Sequence, residues 1–377
     1  MDLKALLARD DKPRFSAARR TPFLLRIRKV PGQSDLMFVT PTAGSDRSCK
    51  EVQQANGTIF SSGPEGNLDI VAMGMSRVDH MDSLPEELSA TQSLQVAEDG
   101  TVLNIFLRGD TVHVSTARRP DAREARWASD RSFWDFLMDA IPGGEPTLKA
   151  ALTEGFTYSV VLRHPENTVV LPHFEARIVH VATRRMDTLE ECDQPLPAWA
   201  ARPSWVTLEQ ASQLCGNVAN STQQHGGVPP MRGFLLVDEA EKVAVRRTLY
   251  DLPSYHLAAS LRKNKKKPHH SYLACSPAER ILCRRVFFML TPQYDMVDYW
   301  LGVLYREVHR KYMRTYVRKT ETLEADHPFT PLLRACHKRY RRTRTRIDLP
   351  TCEAIVSTSR WVDLDRALCH LSAEQTQ

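Results

Sequence analysis

The sequence predicts an α+β protein, with an antiparallel-sheet domain followed by a helical and basic one. Three observations carry that expectation. From about Ser34 to Val114, short runs rich in β-branched and aromatic residues alternate with turn residues, as in DLMFVT, GTIFSS, LDIVAMG, TVLNIFLRG and TVHVST. From about Ser254 onward, apolar residues recur at helical spacing, most clearly in AERILCRRVFFML and YDMVDYWLGVLYREVHRKYMRTYVRK. Charge divides the chain in the same way. Between Arg262 and Arg346 stand 21 Lys and Arg against 7 Asp and Glu, although all 377 residues together carry only +6. A part so basic beside an acidic remainder implies a polyanionic partner, RNA or another nucleic acid before a protein.

Taken in order, residues 1–35 read as a basic N-terminal extension with no clear period. Residues 36–258 form the sheet-built domain and 259–377 the helical basic domain. The turn Arg108-Gly109-Asp110 joins two strands as a hairpin. WASDRSFWDFLMDAI reads as an amphipathic helix capped by Ser129 or Asp130, and a second helix covers about Thr147 to Glu154. Two long strand runs follow, FTYSVVLRH and NTVVLPHF, with RIVHVAT as a third. VTLEQASQLCGNVA reads as a helix, and RGFLLVD and KVAVRR as a further pair of strands.

Composition narrows the setting. A hydrophobic fraction of 42% with 25% charged residues is that of a globular chain, and no run approaches the ~18 apolar residues of a membrane span. The opening MDLKALLARDDKPRFSAARR lacks a signal-peptide core, so a reducing cytoplasmic, nuclear or virus-associated location is expected. The eight cysteines are scattered without a C-x-x-C pair and read as free thiols. His269, His270, Cys275 and Cys283 lie close in sequence but match no finger spacing, so no metal is expected there.

One stretch carries more than pattern. SLQVAEDGTVLNIFLRGDTVHVSTARRPDA places Asp99, Gly100 and Thr101, then Ser115 and Thr116, then Asp121, where K-x-D-G-[ST], S-T-R-G and a following acid would stand. Upstream, NGTIFSSG sits on an R-G-[ILT]-[IM]-F segment. Downstream, GFTYSVVLRHPENTVV, MRGFLLVD and KVAVRRTLYDL follow in the order of three further motifs. In that order and spacing, residues from about 50 to 260 resemble the phage-type ATP-dependent RNA ligases, covalent nucleotidyltransferases. The resemblance implies a ligase adenylation domain, in which a lysine attacks ATP and passes AMP to a 5′-phosphate.

What the resemblance implies about chemistry is loss. The nucleophilic lysine falls on Ala97, the arginine of R-G on Asn56, and that of S-T-R on Ala117, with Arg118 one step on. The third-motif glutamate falls on Val161, the fourth on Arg232, and the fifth-motif lysines on Ala244 and Arg246. A lysine must be partly deprotonated to attack, and carboxylates must hold the divalent metal. One substitution alone would describe a trapped enzyme; this set describes a site without its chemistry. Asp99, Gly100, Arg118 and Asn56 are what a degenerate nucleotide pocket would keep. No cofactor is expected, and ATP with magnesium only if activity survives. Lys242 is a solvated strand-end residue before it is a displaced nucleophile.

The expected function is therefore that of an inactive ligase-like protein binding RNA through its C-terminal domain. Arg306, Arg310 and Arg314 recur every four residues and share one helix face, with Arg318 beyond. Lys265, Lys266 and Lys267 form one flanking cluster, and Arg339, Arg341 and Arg342 another. The alternatives are an active ligase with unusual catalytic residues, or a structural subunit reusing the scaffold.

Overall fold

The computed structural model describes residues 3–8, 17–62, 68–127, 129–224, 229–262 and 268–375. The chain divides into two compact units, Met1–Thr222 with Pro229–His256, and 223–228 with Leu257–Gln377.

The first unit is α+β. It runs α1 (Leu3–Ala8), β1 (Leu25–Val30), β2 (Gln33–Pro41), α2 (Lys50–Gln54), β3 (Thr58–Ser62), β4 (Leu68–Ala72) and the short β5 (Asp79–His80). Then come β6 (Gln92–Ala97), β7 (Thr101–Arg108), β8 (Thr111–Thr116), α3 (Phe133–Asp139), α4 (Gly144–Ala151), β9 (Phe156–Arg163) and β10 (Arg177–Arg185). Short β11 (Glu191–Cys192), β12 (Ala200–Ala201) and β13 (Trp205–Val206) lead to α5 (Leu208–Gln224), β14 (Gly233–Asp238) and β15 (Arg246–Asp251). The strands form three sheets: β1-β2-β3-β4; β11-β10-β9-β7-β8, with β12 parallel on β10; and β13-β6-β14-β15-β5. Adjacent strands are antiparallel except for β12 on β10 and β5 on β15.

Packing follows from alternation. Leu103, Ile105, Tyr158, Val160 and Leu162 face one way from the second sheet, and α3 and α4 cover them with Phe136, Leu137 and Leu148. The α5 helix lays Ala211 on Leu94 and Phe234 of the third sheet. Each fully buried apolar side chain of this kind contributes about 1.5–3 kcal/mol.

Several expectations are corrected. The span 1–35 is not featureless, because β1 lies within it. Leu25 and Ile27 are buried while Arg26 is exposed and Arg28 half-buried, a period of two that the cations hide and that a bulge between Lys29 and Val30 then breaks. NTVVLPHF is not a strand; β10 pairs directly with β9. The amide groups of Val170 and Leu171, which a ladder would need, are taken by the Asp99 carboxylate at 3.0 and 2.7 Å. The cap of α3 is Ser132, which exchanges hydrogen bonds with Asp135 in a capping box, so the helix starts later than Ser129 or Asp130 would allow. Its successor, α4, starts and ends three residues earlier than the span read from 147 to 154.

The second unit is built of helices, with no strand among its described residues. After α6 (Pro253–Leu261), which begins in the first unit, it holds α7 (Pro268–Ala274), α8 (Pro277–Val286), α9 (Thr291–Tyr312), α10 (Thr330–Thr343), α11 (Leu349–Val356) and α12 (Trp361–Gln375). Leu301, Leu304, Val308, Leu332, Leu333 and Leu364 meet in its core. No described helix is long and apolar enough to cross a membrane.

Candidate functional site

The segment 97–100 leaves the end of β6, and its neighbours define a centre in the first unit. Across the sheet, Ala97 pairs with Gly233 of β14, which in turn pairs with Asp251 of β15. Glycine is required at 233: its φ is +155°, and a Cβ there would lie 1.9 Å from the Tyr250 carbonyl oxygen. The Ala97 methyl is buried at one end of an apolar cluster that continues through Leu235 and Leu249 to Val237 and Val245.

Asp99 is only 2% exposed. Besides the two amides of 170 and 171, its carboxylate accepts the Tyr255 hydroxyl at 2.6 Å. These three donors, together with its burial, leave the carboxylate about one lone pair for any further partner. Burial first, and the Asp99 charge next, push the Tyr255 phenol far above its ordinary value, so it stays a donor. His173 lies 4.0 Å from Asp99, and burial lowers its imidazole below the ordinary value, outweighing Asp99. Arg163 donates to His173 Nδ1 at 3.3 Å and pairs with Glu98 at 3.2 Å.

Arg232 is held inside this network. Its Nε donates to Asp251 at 2.8 Å, its Nη1 reaches the Glu98 carbonyl oxygen at 3.4 Å, and the guanidinium lies 5.3 Å over the Tyr255 ring. Burial works against its charge, but Tyr255, Asp251 and Asp99 outweigh it and raise it above the ordinary guanidinium value. Gly100 approaches β9 so closely that a Cβ would meet the Leu162 carbonyl oxygen at 2.4 Å and the Val161 side chain at 2.8 Å.

The structure thus brings Ala97, Asp99, Gly100, Val161 and Arg232 into one neighbourhood. It does not bring Ala244 and Arg246 there. Arg246 pairs with Asp238 at the opposite end of the hairpin, five register steps from Asp251, and Ala244 precedes the strand. The antiparallel register makes Asp251 the β15 residue at the cleft end, a position reachable from sequence only by counting back from the turn. Lys242 is exposed in that same distant turn. Glu98, Arg163, His173 and Tyr255 gave no sequence signal, since Tyr255 lies 156 residues from the carboxylate it serves.

Asn56 and Arg118 line a different place, a cavity of about 410 Å³ that none of Ala97, Asp99, Gly100 or Arg232 borders. The Thr40 hydroxyl, bonded to the Ala117 carbonyl at 2.9 Å, ties residues 117–118 to β2 on one wall. The Ser45 hydroxyl, bonded to the Thr42 amide and the Leu24 carbonyl, fixes the loop on another.

In the second unit the basic residues separate into two kinds. Arg310 pairs with Glu307 at 2.5 Å, and Arg314 and Lys311 share Glu321 at 3.8 and 3.3 Å. The α9 helix ends at Tyr312 in a π turn, Met313–Val317, so Arg314 and Arg318 leave the four-residue spacing set by Arg306 and Arg310. Tyr305 and Tyr312 are core residues, and Tyr316 stacks on His337 at 4.1 Å. By contrast Arg334, Lys338, Arg339, Arg341, Arg342, Arg344 and Arg346, along α10 and just beyond, are exposed with no carboxylate partner among the described residues. Lys265, Lys266 and Lys267 lie outside the described residues. His269 and His270 gather with Asp365, their ligand atoms all within 4.8 Å, whereas Cys275 and Cys283 face each other at 3.6 Å.

No protein-family model matches the chain. No curated protein does either. Among solved structures it is similar to an archaeal ATP-dependent RNA ligase in two forms. Form 1 is 10% identical, with 77% of this chain and 74% of that one covered and a TM-score of 0.44. Form 2 is 11% identical over the same shares, with a TM-score of 0.42. A putative ATP-dependent DNA ligase from Aquifex aeolicus is 13% identical, covering 71% and 69%, with a TM-score of 0.38.

Proposed function

We propose that this chain is an RNA-binding protein on an RNA-ligase-like scaffold that has given up nucleotidyl transfer. The observation that carries the reading is the occupied centre beside Ala97. Arg232 fills it with a guanidinium tied to Asp251 and to the Glu98 carbonyl, and Asp99 is buried with three donors on its carboxylate. Covalent adenylation needs an amine nucleophile and acids free to hold magnesium. At this centre position 97 offers a methyl in place of an amine, and the carboxylates of Asp99 and Asp251 are engaged by Tyr255 and Arg232.

RNA binding rests on the α10 stripe. Arg334, Lys338, Arg341 and Arg342 recur at spacings of four, seven and eight, while Leu332, Leu333 and Cys336 turn to the core. Unpaired guanidiniums contact phosphate without reading sequence, so binding should be salt-sensitive and tolerant of sequence.

Two measurements test this. Incubation with α-labelled ATP and magnesium or manganese should leave the protein unlabelled, and Ala97→Lys should leave it unlabelled too, because Arg232 keeps its place. A phosphoramidate adduct on the unaltered chain would end the reading. If all seven α10 cations meet phosphates of single-stranded RNA, affinity should fall roughly a thousandfold between about 50 and 200 mM salt. Arg339→Gln/Arg341→Gln/Arg342→Gln should then lower the log–log salt slope by about 2.

A further inference from the structure

The cavity lined by Asn56 and Arg118 carries a charge pattern that the closed centre does not explain. Five arginines border it: Arg26, Arg28, Arg47, Arg77 and Arg118. No Asp or Glu is among its described lining residues. None of the five guanidiniums has an ion-pair or hydrogen-bond partner among the described residues, whereas Arg108, Arg131, Arg163 and Arg184 of the same unit all do. Arg26 and Arg28 are two apart on β1, so they share the face opposite the buried Ile27. Burial lowers the half-buried Arg77 below the ordinary guanidinium value, and the like charge of Arg47 lowers it further, with Asp79 a weaker counterweight.

Like charges gathered around a concavity repel, and that arrangement is relieved only by an anion between them. The guanidinium fork matches the oxygens of a phosphoryl group two at a time. The remaining described walls are threonine, asparagine, glutamine and small apolar side chains, with no aromatic ring among them on which a base could stack. About 410 Å³ falls within the range of small-molecule sites. Arg26, Arg28 and Arg47 lie upstream of every segment that resembles a ligase motif.

We propose that this cavity is a binding site for a run of two or three linked phosphoryl groups, read by charge and geometry without regard to the base. The occupant is either a free polyphosphate, including that of a nucleotide, or the 5′-triphosphate end of an RNA; both present the same chemistry. The site does not depend on the α10 surface or on the fate of the ligase-like centre.

The test is calorimetric titration of the full chain with inorganic tripolyphosphate at low salt. Saturable binding is expected, weakened about tenfold or more in Arg28→Gln/Arg77→Gln and unchanged in Arg339→Gln/Arg341→Gln/Arg342→Gln. Arg77→Lys, which keeps charge but loses the fork, should weaken it by a smaller factor. Thermal unfolding without ligand supplies a check on folding: losing repelling charges should leave the melting temperature of the double variant unchanged or raised. ATP and tripolyphosphate binding alike would indicate a free polyphosphate. A preference of tenfold or more for 5′-triphosphate over 5′-hydroxyl RNA of one sequence, with ATP weak, would indicate the RNA end. Absence of saturable tripolyphosphate binding overturns the proposal. So does equal loss in the α10 variant, which would mean diffuse attraction to a basic protein.

Discussion

Arg232 stands inside the buried network beside Asp99, and its worth can be weighed on its own. The side chain is 25% exposed and its partner Asp251 15%, so the pair is partly shielded from water. Arg232→Ala leaves the partly buried Asp251 without its guanidinium partner and should cost about 2–3 kcal/mol in urea unfolding. Tyr255→Phe removes one of three donors from the buried Asp99 while keeping the ring under Arg232, and should cost about 1–3 kcal/mol by the same measurement. If both changes proved neutral, the centre would be far looser than its hydrogen bonds imply.

Single elements carry larger couplings. Arg184 of β10 and Arg247 of β15, 2% and 4% exposed, both bond the Glu191 carboxylate at the start of β11, at 2.7 and 2.5 Å. That carboxylate links the second sheet to the third. Glu191→Ala leaves two buried guanidiniums without their acid and should cost about 3–5 kcal/mol, read as a lower denaturant midpoint. The bulge between His180 and Ala182 in β10 turns the His180 ring inward, where its Nε2 lies 2.9 Å from the Thr183 hydroxyl. Burial lowers this imidazole below its ordinary 6.5, against the pull of the Ala182 carbonyl, so the folded state holds it neutral. The unfolded chain then binds the proton first as pH drops. Stability should be level above the ordinary value and decline below it, by up to about 1.4 kcal/mol per pH unit for each such group. His173 shifts in the same direction. Denaturant midpoints should therefore fall between about pH 7 and 5.5, and His180→Gln should flatten that fall.

At the scale of the molecule, strands were legible where runs of β-branched and aromatic residues are buried, as in β7, β8 and β9, and helices where helical period and burial agree, as in α9. They were hidden where charge overlies the period, as in β1, and where a side chain takes the backbone donors of a β-rich run, as at 170 and 171. The candidate centre was half legible. Ala97, Asp99, Gly100, Val161 and Arg232 converge, but motif spacing could not give the hairpin register, which puts Asp251 at the cleft and carries Arg246 away. The arginine cavity was illegible for another reason. Its five cations come from β1, a loop, the segment before β5 and the segment after β8, so no local window shows them as neighbours. Basic runs in the sequence, by contrast, overstated α9, whose cations are partly neutralised by Glu307 and Glu321.

The grip of Asp99 on the peptide groups of Val170 and Leu171 has an outcome visible without any ligand. Both amides belong to a stretch with no ladder, flanked by the strongly exposed Phe174, yet they should resist deuterium uptake as well as strand interiors do. Their neighbours should exchange within the dead time. In Tyr255→Phe that shielding should drop at 170 and 171 while β9 and β10 keep theirs, mapping a tether that runs from a carboxylate rather than from a sheet.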